Sequence, residues 1–182
     1  MPDNGRRPDR PAPPMTASPP ATGITTTDVA AYAGLLPAGR RLLGIDAGTK
    51  TLGLALSDVT RTIASAMTTI RRTKFAADAA ELLAIAREQD VAGLVLGLPI
   101  NLDGTEGPRA QSARALARNL NRLSPLPILL WDERLSTAAA ERMLIAADQS
   151  RKRRGEVIDK LAATLILQGA LDRMRKAHES NG

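Results

Sequence analysis

One stretch limits the folds open to this chain more than any other: Leu42-Leu43-Gly44-Ile45-Asp46-Ala47-Gly48-Thr49-Lys50-Thr51-Leu52-Gly53-Leu54-Ala55-Leu56-Ser57-Asp58. Two short apolar runs flank Gly48-Thr49-Lys50, the pattern of a β-hairpin closed by a tight turn. Asp46 sits inside the first run, among Leu, Ile and Gly. A carboxylate in such surroundings is costly unless a cation or hydrogen bonds compensate it, so its presence asks for a partner such as a metal ion. The other reading is that Asp46 ends the strand and opens the turn, although Gly48 already meets that need.

The rest of the chain supplies what a hairpin cannot bury alone. Thr60 to Ile70 is β-branched and alternating, which predicts a third antiparallel strand. Ala76 to Gln89 repeats Ala and Leu at helical spacing, with Ala79, Leu82, Leu83 and Ala86 as its apolar stripe. Val91 to Gly97 is a continuous apolar run, as in a strand covered on both faces. A polar loop, Leu98 to Gly107, leads to Pro108 in the first-helical position and a helix from Ala110 to Leu123. Pro127 to Trp131 predicts the next strand, ending in Asp132-Glu133-Arg134. Ser136 or Thr137 can cap a helix through Ala147, and the basic run Arg151-Lys152-Arg153-Arg154 precedes a last helix from Glu156 to about Lys176. This order predicts an α/β fold, a mixed five-stranded sheet with helices on both faces, occupying residues 41–182. Residues 1–40 hold eight of the twelve prolines and read as a disordered extension; within it the weakly periodic Val29 to Leu36 reads as a short helix or docking segment or, in preference, as ordinary linker.

In open α/β sheets ligands gather beyond the carboxyl ends of the parallel strands. Asp46 falls near the end of the first strand, and Asp132 and Glu133 at the end of the last. Alternation lets only one of that pair share a face with Asp46 unless the strand has already ended. Asp159 shares a helical stripe with Ala162, Ala163, Ile166 and Ala170, opposite Lys160, Gln168 and Asp172, and so belongs to the sheet side. Three carboxylates brought together there suit one or two Mg²⁺ or Mn²⁺ ions acting on a phosphodiester. The chain has no cysteine and one histidine, His178 near the C-terminus, so a bound metal should be hard and oxygen-liganded. Lys50, Arg134 and the Arg151, Lys152, Arg153, Arg154 run can hold substrate phosphates, and the net charge of +6 suits an anionic partner. One Trp, one Tyr and one Phe cannot build a base-stacking platform, so nucleic acid would be held mainly through its phosphates. No apolar run reaches 18 residues, which argues against a membrane partner and makes the cytoplasm the expected compartment.

With these residues in view, the chain resembles the family described both as pre-16S rRNA nucleases and as Holliday-junction-resolvase-like proteins of the RNase H superfamily. The resemblance rests on four blocks in order. They are Leu43 to Lys50 with Gly53 and Ala55 to Asp58, Gly97 to Asn101 with Asp103-Gly104, Asp132 to Thr137, and Asp159 to Ala163 followed by Ile166-Leu167-Gln168. It covers about residues 41 to 172 and implies an RNase H-like sheet, in agreement with the element order. It also implies that Asp46, Glu133 and Asp159 are the catalytic, metal-holding carboxylates, choosing Glu133 over Asp132. The implied activity is metal-dependent cleavage of nucleic acid, with the 5′ end of precursor 16S rRNA favoured and branched DNA junctions second. The first block departs from the family at Thr51, where a basic residue is frequent. Two other readings start from the same residues: a non-catalytic ribosome-assembly factor that binds RNA, and an actin-like ATP phosphotransferase, which would need a second such domain.

Overall fold

The computed structural model describes residues 22–136 and 151–180. The helix expected to run through Ala147 lies outside these residues, as do residues 1–21 of the expected extension.

The hairpin forms as its sequence predicts. β2 (Arg41–Ala47) and β3 (Thr51–Ser57) pair antiparallel with Asp46 opposite Gly53, and the Gly48 amide donates to the Thr51 carbonyl at 2.9 Å to close the turn. β4 (Ala64–Arg71) adds antiparallel to β3 but begins four residues later than the β-branched run suggests. Asp58 is the cause. Its carboxylate accepts from the Thr62 amide at 2.8 Å and the Ile63 amide at 2.9 Å, while Arg61 adopts a left-handed φ of 56°. These bonds, with the Thr60 hydroxyl, hold the Asp58 carboxyl down to about 2 and make residues 58–63 a turn.

α2 (Phe75–Glu88) and α3 (Pro108–Asn121) alternate with β5 (Val91–Leu98) and β6 (Ile128–Asp132). β5 runs parallel to β2 and to β6, and all eight of its residues are buried, as the unbroken apolar run requires. The last helix, α4, spans Arg151–Ser180 and lies across β2, β3 and β4. The basic run expected before this helix forms its first turn instead. Gln168, placed on the solvent side by its helical phase, reaches the sheet: its Oε1 accepts from the Ala64 amide at 2.8 Å and its Nε2 donates to the Thr62 carbonyl at 3.0 Å. Leu43, Ile45, Leu52 and Leu54 pack with α2 and α3 on one face, and Leu42, Ala55, Val95 and Trp131 pack with α4 on the other.

Among the described residues the sheet has six strands, in the order β1-β6-β5-β2-β3-β4, and not the five expected. The sixth comes from the stretch expected to be disordered. β1 (Thr25–Thr26) pairs parallel with β6, and α1 (Val29–Gly34) follows, its first turn capped by Asp28 accepting from the Ala30 and Ala31 amides. Tyr32 explains the docking. It is fully buried in the α4-side core, and its hydroxyl donates to the Leu94 carbonyl at 2.9 Å. Burial pushes its phenol pKa up. One aromatic anchor thus outweighs the proline-rich composition around it. Tyr32→Phe, which keeps the ring and deletes the hydrogen bond, is expected to lower unfolding free energy in urea by about 1–2 kcal/mol.

Candidate active site

The carboxyl ends of β2, β5 and β6 open at one edge of the sheet, and the site is built where α4 crosses that edge. Asp46, the penultimate residue of β2, is 5% exposed. Alternation sets its face. Leu42 packs in the α4-side core, and a Cβ at Gly44 would lie 2.7 Å from the Leu167 Cβ, so Asp46 is the third residue in a series facing α4.

Two glycines flank Asp46 and admit the other carboxylates. Gly53, its partner on β3, seats the helix: a Cβ there would lie 2.1 Å from the Asp159 carbonyl oxygen and 3.0 Å from the Asp159 Cβ. On the other side, Gly97 lies one residue past the Ile45–Leu96 pair of β2 and β5, level with Asp46. A Cβ at Gly97 would lie 2.6 Å from Glu133 Oε1 and 2.5 Å from Ile166 Cδ1. Glu133 therefore lies over β5, Asp46 rises from β2, and Asp159 lies over β3, all on the α4 face.

The carboxylates stand side by side and do not close on one point. Among the described residues no three His, Cys, Asp or Glu side chains are grouped tightly enough to hold a metal ion. Asp159 is turned toward the strand, its Oδ2 accepting from the Thr51 hydroxyl. The donor set nonetheless fits a hard divalent cation: the chain has no thiol, and His178 is an exposed residue near the far end of α4. Asp46 and Glu133 both have interaction partners.

Asp132 and Glu133 stand in different settings. β6 ends at Asp132, and Glu133 begins a short 3-10 turn, Glu133–Leu135. Asp132 caps that turn through the Arg134 amide at 3.0 Å and takes the Arg134 guanidinium at 2.7 Å. The Arg134 hydrogen bonds hold its carboxyl below the usual range. Arg134 thus reaches the rim with its charge already matched by Asp132. Lys50 is exposed in the hairpin turn. Residues 151–154 lie in the opening turn of α4.

Two features escaped the sequence reading. Arg72 fastens the hairpin turn, its Nη1 donating to the Gly48 carbonyl at 2.6 Å and its amide to the Lys50 carbonyl at 2.8 Å. The polar loop after β5 is a bonded turn: the Asn101 amide donates to the Thr105 carbonyl at 2.9 Å, and Asp103 Oδ1 accepts from the Thr105 amide at 2.9 Å. Asn and Asp two to four residues from a Thr were the available signal for such a turn.

Three antiparallel strands followed by two parallel ones, with the final helix crossing the first hairpin, define an RNase H-like mixed sheet. Residues 40–173 match the model of the family RuvX, described as Holliday junction resolvase. The chain belongs to that family. A protein of Paracoccus denitrificans named "Putative pre-16S rRNA nuclease" is 62% identical over 148 residues, covering 81% of this chain and 94% of that protein. One of the same name from Paramagnetospirillum magneticum is 64% identical over 133 residues, covering 73% of this chain and 86% of that protein. Among solved structures, Thermus thermophilus RuvC in complex with a Holliday junction substrate aligns with a TM-score of 0.49 at 14% identity, covering 75% of this chain and 96% of that one. Among the described residues no helix is long and apolar enough to cross a membrane.

Proposed function

We propose that this protein is a metal-dependent endonuclease that hydrolyses phosphodiester bonds in nucleic acid, with precursor 16S rRNA as its substrate and 5′-end maturation as its role. The observation that carries the reading is the series Glu133, Asp46 and Asp159 across three adjacent strands, made possible by glycine at positions 97 and 53. The substrate follows the name shared by relatives at about 60% identity that span most of their own length with this chain.

Asp46, Glu133 and Asp159 would hold one or two Mg²⁺ or Mn²⁺ ions, which when bound supply polarisation of the scissile phosphate and a water of lowered pKa. Each protein group has its own task. Asp46 is fixed by strand pairing and is the rigid centre of the set. Glu133, on the turn after β6, brings a second carboxylate from the parallel half of the sheet. Asp159 is held by the Thr51 hydroxyl and would join the other two by leaving that bond. Lys50, Arg134 and the 151–154 run would hold phosphates on either side, Arg134 only by sharing its charge with Asp132.

A second substrate is favoured by the family description, which names a Holliday junction resolvase. Symmetric cutting of a junction requires a dimer, whereas trimming of RNA does not. One experiment separates these readings. Purified protein is incubated with precursor-16S RNA and with a four-way DNA junction, each in Mg²⁺ or in EDTA. RNA cleavage that EDTA abolishes is the expected result. Junction-selective cutting by a dimer would transfer the assignment to DNA, and binding without cleavage of either would favour an assembly factor.

A further inference from the structure

The cations that meet substrate need not be those the motifs suggest, and pairing sorts them. Arg40 is bound to Asp90, Arg114 to Glu106, Arg134 to Asp132 and Arg175 to Asp172. Arg61 is spent on the Arg40 and Pro37 carbonyls, and Arg72 on the Gly48 carbonyl. Arg71, the last residue of β4, is exposed and has no side-chain partner among the described residues.

Its position follows from a defect in the sheet. Ala55 pairs with Ala66 and Leu54 with Thr68, so Met67 is an extra residue on β4, a one-residue bulge. Before the bulge, Ala64 packs on the α4 side and Ala66 lies opposite the α4-side residue Ala55. After it, Ile70 packs in the opposite core, paired with Leu52, and the α4 face passes to Thr69 and Arg71. Without the bulge, strict alternation from Ala64 would put Arg71 on the α2 side of the sheet. With it, Arg71 stands opposite Thr51 on the same face. Directly paired residues have Cβ atoms about 5 Å apart. Thr51 is the residue whose hydroxyl holds Asp159.

We propose that Arg71 is a phosphate-binding residue of the substrate path, aimed by the Met67 bulge to hold the nucleic-acid backbone on the Asp159 side of the site. A guanidinium suits this task, since it is permanently charged and presents a donor fork that matches phosphate oxygens. The two flanks of the carboxylates then differ. On the β6 side the cation is neutralised by Asp132, and on the β4 side it has no acidic partner among the described residues, with Lys50 in the adjoining turn. The backbone is gripped on the hairpin side of the cleavage point.

This inference rests on the nuclease reading for its location, but it is tested on binding alone. Fluorescence anisotropy of a labelled single-stranded RNA is followed in EDTA, where metal-dependent cleavage cannot contribute, from 0.15 M to 1 M salt. The chains compared are the wild type, Arg71→Ala, and Arg118→Ala. Arg118 is an exposed arginine on α3 with no side-chain partner among the described residues, and α3 packs on the opposite face of the sheet, so its removal matches the change in net charge. One lost contact with a single-stranded phosphate should flatten the slope of log K against log salt by about 0.7, making Arg71→Ala about fourfold weaker at 0.15 M and equal to wild type near 1 M. Arg118→Ala should match wild type. Equal losses in both variants would reduce the effect to net charge and overturn the proposal, as would no loss in Arg71→Ala or no RNA binding by wild type. Selective loss in Arg71→Ala by a protein that cleaves nothing would leave this proposal standing and remove the nuclease reading.

Discussion

Asp46→Asn is expected to abolish metal-dependent cleavage, by a factor above about 100, since even the outer partners of metal ligands are worth roughly 10- to 100-fold. The substitution keeps the shape of the side chain and its place in β2, so secondary structure should not change. What it removes is the negative charge at the centre of the three carboxylates. Two readouts follow from that. Cleavage of precursor-16S RNA in Mg²⁺ should fall to the level seen in EDTA. The thermal shift that Mg²⁺ gives wild type, a consequence of binding the folded state only, should shrink or vanish. Without Mg²⁺ the two proteins should melt alike, because Asn retains hydrogen-bonding capacity at a site that is 5% exposed. Cleavage at wild-type rate would remove Asp46 from the chemistry and with it the proposed site. Cleavage lost with the Mg²⁺ shift intact would instead place the metal on other ligands and leave Asp46 a different role.

The structure explains why the central part of the fold was legible and its margins were not. The hairpin, the buried strand β5 and the helices α2 and α3 each carry a local signal: a turn between apolar runs, an unbroken apolar stretch, Ala and Leu at helical spacing, Pro in the first turn. In the margins, a single side chain decides. Tyr32 docks α1 through one buried hydroxyl 62 residues away from its acceptor at Leu94, and composition averaged over the first 40 residues hides it. Asp58 delays β4 by offering its carboxylate to amides four and five residues on, against the β-propensity of the same residues. The candidate site follows the same division. Asp46 and Asp159 are marked by charge on apolar patterns. Alternation alone could not choose between Asp132 and Glu133, because β6 ends between them and the choice depends on a cap. Arg71 was out of reach for a related reason: a bulge reverses strand parity, and nothing in Met67 announces one. Thr51, where the resembled family often has a basic residue, is occupied in this chain as the holder of Asp159.

Gly53→Ala is the substitution expected to cost the fold most for a single added methyl. The added Cβ would lie 2.1 Å from the Asp159 carbonyl oxygen and 2.5 Å from its carbonyl carbon. Those are backbone atoms of a helix, and they cannot turn aside as the end of a side chain can. Relief requires α4 to lift from β3 by an ångström or so. The helix is seated at several other points, with Gly44 beneath Ala163 and Leu167, Gly97 beneath Ile166, and Gly169 against Trp131, so lifting one end strains the rest. Overpacking of this kind costs about 1–3 kcal/mol, and a backbone clash should reach the upper end. In a domain of this size that lowers Tm by roughly 6–12 °C. Cleavage should fall further than stability does. Asp159 rides on the lifted turn, and a displacement of about 1 Å at a reacting centre can cost 100-fold in rate even where the protein is fully folded. Gly34→Ala is the matched control, because an added Cβ there has no atom within 4 Å and should leave both Tm and cleavage unchanged. Tolerance of alanine at position 53 by both measures would mean that α4 does not rest on β3 at Asp159. The three carboxylates would then lose the seat that sets them side by side.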